Sequence, residues 1–513
     1  MNRAESGVGL DVETPTWPKV ETPVAQRVES WIRQRPWIAL LLVAVPLCSV
    51  GLLITDAIAM EGIVADGART MARTGEYSVP HLHGEIYSYK PPLAYWLALA
   101  GFWSLGETSV LALRLPFALC ALLMSCAILG LLRPLIGTRA SFSSALAALT
   151  GGLMLQKLHL AEFDLPLAAG VGIAVAAACR NLAADIPHNA IWLLGYLALS
   201  AAFLAKGLPA LMFYAPGLLL AAAVSGRVRR LFQTGHLIGL TIFAILVGSW
   251  GLSAFHTAGW QAFAQPMAEA ADKGLTWTFD SLAATLTKPV VAWALFLPWT
   301  FLLVAPPAKL RAAWAQLDAP SQRVARIAAC FVATGVFSFM LVPATQTRYL
   351  LPLATPISVL CGIAAFSQPG PTRYKSSVPF VIAVALAAWL AQTMIIQPNR
   401  ASSRSLRAVA ETFSQHLEPS IQLWTGPVSK HFRHSSLFFY MARPVATFDA
   451  EPTAEGAQPK AGDLVVFFSD EHRDLMAATP FAYEILEQRT QRQFEMFLAR
   501  VVRSPETATE TSL

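Results

Sequence analysis

The chain has 513 residues, 55% of them hydrophobic and only 14% charged. A soluble domain is nearer a quarter charged, so a string of ordinary soluble domains is excluded. The formal net charge of +6 is modest, and the lysines and arginines fall mostly between apolar runs, the pattern of membrane topology rather than of nucleic-acid binding.

A polar tail through Pro36 precedes the first apolar run, with no convincing small-residue cleavage site after it, so a cleavable signal peptide is not expected. Apolar runs of about spanning length then follow at 38–55, 109–132, 141–158, 165–182, 190–205, 207–224, 235–255, 289–306, 324–342, 349–366 and 378–396. The aromatic stretch LAYWLALAGFWSLG, Leu93 to Gly106, is short for a span and reads as a re-entrant or surface helix. Charge supports that choice. With Arg27, Arg33 and Arg35 cytoplasmic and 93–106 not crossing, the loops carrying Arg133 and Arg139, Arg180, Arg227 to Arg230, Lys309 to Arg323, and Arg373 and Lys375 all fall inside. If 93–106 crossed, every one of them would fall outside. The expectation is about eleven crossings, a cytoplasmic N-terminal tail over 1–37 and a C-terminus on the far side. All six cysteines (Cys48, Cys120, Cys126, Cys179, Cys330 and Cys361) lie in apolar runs and read as small core residues, with no disulfide expected.

From about Asn399 the chain turns polar. A helix-like run at 404–417 precedes strand-like runs at 421–425, 436–440 and 463–468. This predicts a small α/β domain outside the membrane, over 397–503, with a disordered tail at 504–513.

Candidate chemistry sits at the predicted outer face. The loop from Asp56 to Pro92 holds Asp56, Glu61, Asp66, Arg69, Arg73, Glu76, His81, His83, Glu85 and Lys90. Such density beside a bilayer is either a solvated loop or a site. The segment 57–74 has helical spacing. Were Asp56 and Glu61 both helical, they would point away from one another rather than form a carboxylate dyad. Asp164, Lys206 and Arg348 each stand at an outer span end. Lysine can simply snorkel there, but a short acid snorkels poorly. Acids and bases gathered at one face suit an anionic, phosphate-bearing substrate.

The run ADGARTMARTGEYSVPHLHGEIYSYKPPLAYWL, 65–97, carries Thr74-Gly75-Glu76, Val79-Pro80, Gly84-Glu85-Ile86-Tyr87 and Lys90-Pro91-Pro92. This ordered set resembles the first outer loop of the GT-C superfamily of lipid-linked-sugar glycosyltransferases, in the aminoarabinose transferase and protein O-mannosyltransferase branch, glycosyltransferase family 39. In order, Arg114-Leu115-Pro116, Asp164, Lys206-Gly207, Arg348-Tyr349-Leu350-Leu351-Pro352 and SLFFYMARPV at 436–445 are similar too. One departure stands out. The family's adjacent Asp-Glu after the first span, with an arginine two residues on, here reads Met60-Glu61 and Ile63.

The resemblance implies a GT-C fold of about 11–13 transmembrane helices with outer-face juxtamembrane helices. It implies an inverting glycosyltransferase of a bacterial inner membrane, acting at the periplasmic face. Its partners would be a polyprenyl-phosphate-linked sugar donor, a lipid, glycan or protein acceptor and membrane lipids, with no nucleic acid. Either Glu61 or Asp56 would supply the catalytic carboxylate. Lys90, Lys206 and Arg348 would meet the carrier phosphate, and Tyr87, Tyr349, Asp164 and Arg114 would complete the substrate-binding set. No metal-ligand spacing is present and no cofactor is implied with certainty, so dependence on a divalent metal stays open. The rival expectations are a transporter or flippase for a lipid-linked or anionic substrate, and a non-catalytic protein of the same fold. The first would carry internal repeats and mid-span charges, which the sequence does not display.

Overall fold

The computed structural model describes residues 23–58, 60–274, 279–304, 306–342, 346–367, 377–426, 435–448, 458–469, 472, 481–491 and 494–503. The predicted inner loop with Arg373 and Lys375, and the tail at 504–513, lie outside the described residues.

The predicted N-terminal tail contains a helix, α1 (Pro23–Gln34), joined at a 101° bend to α2 (Pro36–Ser49), which continues as a 3-10 turn through Leu52. Pro36 begins α2; its fixed φ and missing N–H suit a first helical position and not the continuation of a helix. Glu29 of α1 accepts from Arg33 at 2.8 Å and also pairs with Arg139, so α1 is pinned to the far end of the next helix pair. The outer loop follows with two helices and a hairpin between them: α3 (Met60–Thr74), the two-residue strands β1 (His81–Leu82) and β2 (Glu85–Ile86), and α4 (Leu93–Leu105). α3 begins at Met60, so Asp56 precedes it and the two acids do not share a helix.

α4 buries Ala94, Tyr95, Ala98, Leu99 and Phe102, a single helical face, while Trp103 stays 70% exposed. α5 (Val110–Thr150) is two helices run together. At Gly137 the backbone takes φ +75°, which a side chain would resist, and the chain doubles back. The Ser125 hydroxyl donates to the Ala145 carbonyl at 3.0 Å, which binds the two arms side by side. After the short α6 (Gly152–Lys157) comes α7 (Asp164–Ala183), whose apolar window is 89% buried and which forms the centre of the bundle. Half of its sequence, DLPLAAGVGIAVAAACRNLA, is alanine, glycine or cysteine, which lets neighbouring backbones approach closely.

The chain continues through α8 (Asn189–Lys206), α9 (Pro209–Val224), α10 (Thr234–Ala258), α11 (Gln261–Gly274), α12 (Phe279–Ala294), α13 (Pro307–Gln316), α14 (Ala319–Met340), α15 (Ala354–Ser367) and α16 (Ser377–Ala391), of which α8, α9, α14 and α15, together with α5, pack on α7. Among the described residues, seven helices are long and apolar enough to cross a membrane by length and composition alone, or eight with the bent pair α1–α2. The chain is an integral membrane protein. The larger expected number differs for local reasons. α5 holds two of the expected spans in one run. α9 is 16 residues long, and the 289–306 run is split between α12 and a 3-10 turn at Trp299–Leu303, either side of Pro298.

The two ends of α7 carry opposite roles. At its C-terminal end Asp185 gathers Arg323 at 3.0 Å, Arg227 at 3.8 Å and, through its carbonyl, Arg230 at 3.0 Å. These are arginines that the charge pattern assigns to one side. Asp164 opens the other end, about 30 Å away at 1.5 Å per residue.

Beyond α16 a π-helical turn at Gln392–Ile396 and α17 (Gln397–Ser402) lead to α18 (Arg407–Ser414), then β3 (Leu423–Thr425), α19 (Ser435–Met441), β4 (Val445–Thr447), β5 (Leu464–Phe468), β6 (Ala482–Gln491) and β7 (Phe494–Arg503). The sheet order is β4-β3-β5-β7-β6, parallel across β4, β3 and β5 and antiparallel across β5, β7 and β6. All five residues of β5 are buried. Leu464, Val466 and Phe468 face α18 and α19, while Val465 and Phe467 face a second cluster with Trp424 and Phe448. A strand covered on both faces reads as a continuous apolar run, as LVVFF does.

The expected strand at 436–440 is instead the helix α19. Ser436 to Phe439 are all buried and Tyr440 half-buried, and a short run of that kind has no periodicity with which to tell strand from helix. α19 wedges between the sheet and α3. A Cβ on Gly62 of α3 would lie 2.3 Å from the Ser436 amide nitrogen, so only glycine permits this approach.

Candidate active site

The first outer loop folds as it does because its charged residues are tied down from several directions. Arg69 of α3 is 2% exposed and donates to the Phe439 carbonyl at 2.9 Å and to the Glu107 carbonyl at 2.6 Å. Its guanidinium lies 4.8 Å from the Phe439 ring centroid. Burial pulls its pKa down, against the carboxylates of Asp66 and Glu107. His83, at φ +53° in the β1–β2 turn, sits 3.2 Å from the Asp66 carboxylate and edge-on to Phe438, and its carbonyl accepts from the Thr447 amide of β4 at 3.0 Å. On the other side, Trp250 donates to the Ser78 carbonyl at 3.0 Å. Gln265 donates to the Ile86 carbonyl at 3.0 Å and accepts from the Ser88 amide at 2.7 Å. Thr257 donates to Glu76 at 3.0 Å. The loop is therefore held between the α10–α11 corner and the C-terminal sheet.

The two candidate carboxylates have different surroundings. Glu61 is 0% exposed, and Arg114 grips it with two prongs, Nε to Oε1 at 2.7 Å and Nη2 to Oε2 at 2.8 Å. The Ala161 amide donates to Oε1 at 3.0 Å and the Ile58 amide to Oε2 at 3.1 Å. Both oxygens are thus occupied twice. Arg114, 1% exposed, spends its other protons on the Leu52 and Thr55 carbonyls, the Thr55 hydroxyl and the Asp56 carbonyl, at 2.8–3.1 Å. A paired, fully hydrogen-bonded charge is what burial of this kind demands. The pair joins the end of α2, the start of α3, the start of α5 and the 159–164 turn.

Asp56 stands on the outside of that knot, with its side chain 32% exposed. Its Oδ2 accepts from the Ser405 hydroxyl at 2.7 Å, and its Oδ1 lies 3.5 Å from Arg407 Nη1. The next amide, of Ala57, donates to the Tyr440 hydroxyl at 2.5 Å. Burial, with Asp56 nearby, pushes the Tyr440 phenol up. Hydrogen bonds from Arg407 to Glu411 and to Asp56 push the Arg407 guanidinium up.

The three span-end charges expected to share a face do meet. Asp164, 3% exposed, pairs with Lys206 and lies 3.7 Å from Arg348. Lys206 stands 4.3 Å over the Tyr349 ring, and Arg348 lies 5.8 Å from the same centroid. Lys90 is half-buried at the mouth of α4. A Cβ on Gly207 would lie 3.8 Å from Pro91, so the Lys90-Pro91 and Lys206-Gly207 steps are neighbours. Tyr87 is buried against Ile63, Leu82 and Tyr89, under the Lys90 turn. Among the described residues, no three His, Cys, Asp or Glu side chains are placed to hold a metal ion.

Ser405, Arg407 and Tyr440 were not among the residues expected at the site. The signal for Arg407 was present: with Arg400 and Arg404 it follows the last apolar run on the side where the positive-inside pattern disfavours arginine.

The family model for dolichyl-phosphate-mannose-protein mannosyltransferase matches residues 89–250. An undecaprenyl phosphate-α-4-amino-4-deoxy-L-arabinose arabinosyl transferase of Sodalis glossinidius is 27% identical over 61% of this chain and 55% of its own length. The like-named protein of Pectobacterium carotovorum is 26% identical over 58% of this chain and 52% of its own. The matched stretch thus spans about half the length of these curated relatives. Among solved structures, ArnT of Cupriavidus metallidurans bound to undecaprenyl phosphate superposes with a TM-score of 0.71 at 17% identity, covering 91% of this chain and 98% of that one. Its state without ligand gives 0.69. The likeness first read in residues 65–97 therefore extends across the molecule, and the fold of this chain is that of the GT-C membrane enzymes of the aminoarabinose transferase type.

Proposed function

We propose that this chain is an inverting glycosyltransferase that moves a sugar from a polyprenyl-phosphate carrier to a lipid, glycan or protein acceptor at the outer, periplasmic face of a bacterial inner membrane. The membrane part would span 38–396 and the outer α/β domain 397–503. The observation that carries the reading is the joining of two charged turns at one end of the bundle. Glu61 bonds the 159–164 turn and, through Arg114, the Asp56 turn. A partly exposed carboxylate and a cluster of cations are thus brought together, in a fold shared with a protein solved with undecaprenyl phosphate.

In this reading an acceptor hydroxyl attacks the anomeric carbon opposite the carrier phosphate. The bond from that carbon to the phosphate oxygen breaks, and its electron pair leaves as polyprenyl phosphate. The hydroxyl proton passes to Asp56, the carboxylate with room to receive it. Where the acceptor is itself a phosphate, no base is needed and Asp56 orients it. Lys90, Lys206 and Arg348 stabilise the charge that grows on the leaving phosphate, and Asp164 and Tyr349 hold two of these cations in advance of the reaction. Tyr87 supports the Lys90 turn. Glu61 and Arg114 act by fixing Asp56 in place, since neither has a free proton site.

The test is a transfer assay on purified protein, with polyprenyl-phosphate sugars and a panel of glycolipid, glycan and protein acceptors. Transfer with release of polyprenyl phosphate is expected. No transfer to any acceptor, alongside movement of the intact donor across a vesicle bilayer, would replace this reading with that of a flippase.

A further inference from the structure

Asp56 is contacted by two side chains that lie 349 and 351 residues further along the chain. Oδ2 accepts from Ser405 at 2.7 Å, and Oδ1 faces Arg407 at 3.5 Å. Ser405 lies in the turn between α17 and α18 and Arg407 is the first residue of α18, where the chain leaves the membrane helices for the outer domain. Neither side chain has a packing role that would account for its direction: Arg407 is 57% exposed and Ser405 half-buried. Arg407 is aimed rather than free, because Glu411, one helical turn on, accepts from its Nε at 3.0 Å and the Tyr440 ring lies 5.9 Å from its guanidinium. Ser405 is fixed likewise, since its hydroxyl accepts from the Arg407 amide at 3.2 Å. From the same domain, Tyr440 holds the Ala57 amide.

On the opposite side of the turn Arg114 reaches Asp56 itself only at its backbone carbonyl. Arg114 from the membrane part and Tyr440 from the outer domain therefore set where the Asp56 backbone stands, and Ser405 and Arg407 of the outer domain set how its carboxylate is turned. A carboxylate that must take a proton from an incoming hydroxyl has to present one oxygen in a narrow range of angles, and displacement of about an ångström can cost about a hundredfold in rate.

We propose that Ser405 and Arg407 are positioning residues, through which the outer domain orients the Asp56 carboxylate and completes a site otherwise built by the membrane helices. The proposal rests on the transferase reading above and assigns a role to a domain that this reading leaves idle.

The experiment uses the full-length protein in detergent or nanodiscs, with the Ser405→Ala, Arg407→Ala and doubly substituted variants. Ser405→Thr and Arg407→Lys are the conservative partners, and Arg404→Ala, an exposed neighbour outside the cluster, is the control. Transfer kinetics are read together with carbodiimide labelling of Asp56, followed by peptide mass spectrometry. We expect kcat to fall about tenfold in each alanine variant with donor KM unchanged, recovery in the conservative pair, and faster labelling of Asp56 as its oxygens are released. A kcat within about twofold of wild type in the double variant overturns the proposal. If wild-type protein transfers no sugar to any acceptor, the transferase reading fails by itself and labelling decides the contact. Equal labelling of wild type and double variant then overturns it, and faster labelling of the variant sustains it.

Discussion

Arg114 holds Glu61 with two hydrogen bonds of 2.7 and 2.8 Å inside a site that neither side chain shares with solvent. Of the two acids that the sequence offers, one is consumed in building the site and the other is left at its edge. Removing one partner of a buried pair leaves an uncompensated charge, at a cost of about 3–5 kcal/mol. Glu61→Ala is therefore expected to lower the thermal midpoint markedly. A double-mutant cycle with Arg114→Ala should return a large coupling energy. A Glu61→Ala protein with a wild-type midpoint would show that the knot is not structural.

Asp56 is expected to behave in the opposite way. With a partly exposed side chain and its backbone held independently, Asp56→Asn should leave the melting midpoint near wild type. The same change should lower kcat by about 10²–10⁴ if the acceptor is a hydroxyl. Full activity in this variant would remove the general base from the mechanism.

Lys90, Lys206 and Arg348 are expected to differ among themselves. Lys206→Ala leaves Asp164, 3% exposed, with Arg348 as its nearest remaining partner at 3.7 Å, so both stability and activity should fall. Lys90→Ala should act chiefly on the donor, read as weaker binding of polyprenyl phosphate by the purified protein. Wild-type affinity in Lys90→Ala would exclude a phosphate contact.

Glu76 gives the outer loop an acid limit. Burial pushes its carboxyl up, but hydrogen bonds from Ser78, Thr257 and the Val79 amide outweigh this and hold it below its ordinary value of 4.5. A carboxyl depressed in the fold binds a proton more readily once the loop is released. Its stabilisation is therefore complete above the released value and is lost as pH falls through the lower, folded one. The thermal midpoint of wild type should exceed that of Glu76→Gln near neutral pH, and the two should converge below about pH 4.5. Parallel curves across that range would refute the clasp.

Gly62 sets the docking of the outer domain. A side chain there meets the Ser435–Ser436 backbone, which has no room to yield. Gly62→Val should expose the α18–α19 region to limited proteolysis and lower transfer activity with it, while the membrane helices stay resistant. Unchanged cleavage and activity would show that α19 can shift at little cost.

Much of the molecule was legible in its residues. The apolar runs, the loop charges and the short aromatic stretch at 93–106 determine a polytopic membrane protein, and the ordered set from Thr74 to Pro92 points to the fold. These are local properties, of hydropathy over one span or of motif along one loop, and need no knowledge of what lies next to what. Tertiary structure decided the rest. Nothing local distinguishes Glu61 from Asp56, because the difference lies in Arg114, an arginine on another helix that buries one and leaves the other outside. SLFFY carries no periodicity, so only its burial between α3 and the sheet makes it a helix. Asp164 lacks a partner in sequence and finds two in space. Ser405 and Arg407 reach Asp56 because the chain returns to the same membrane face after its last helix, and the sequence-distant contact that results is a property of the path, not of either segment.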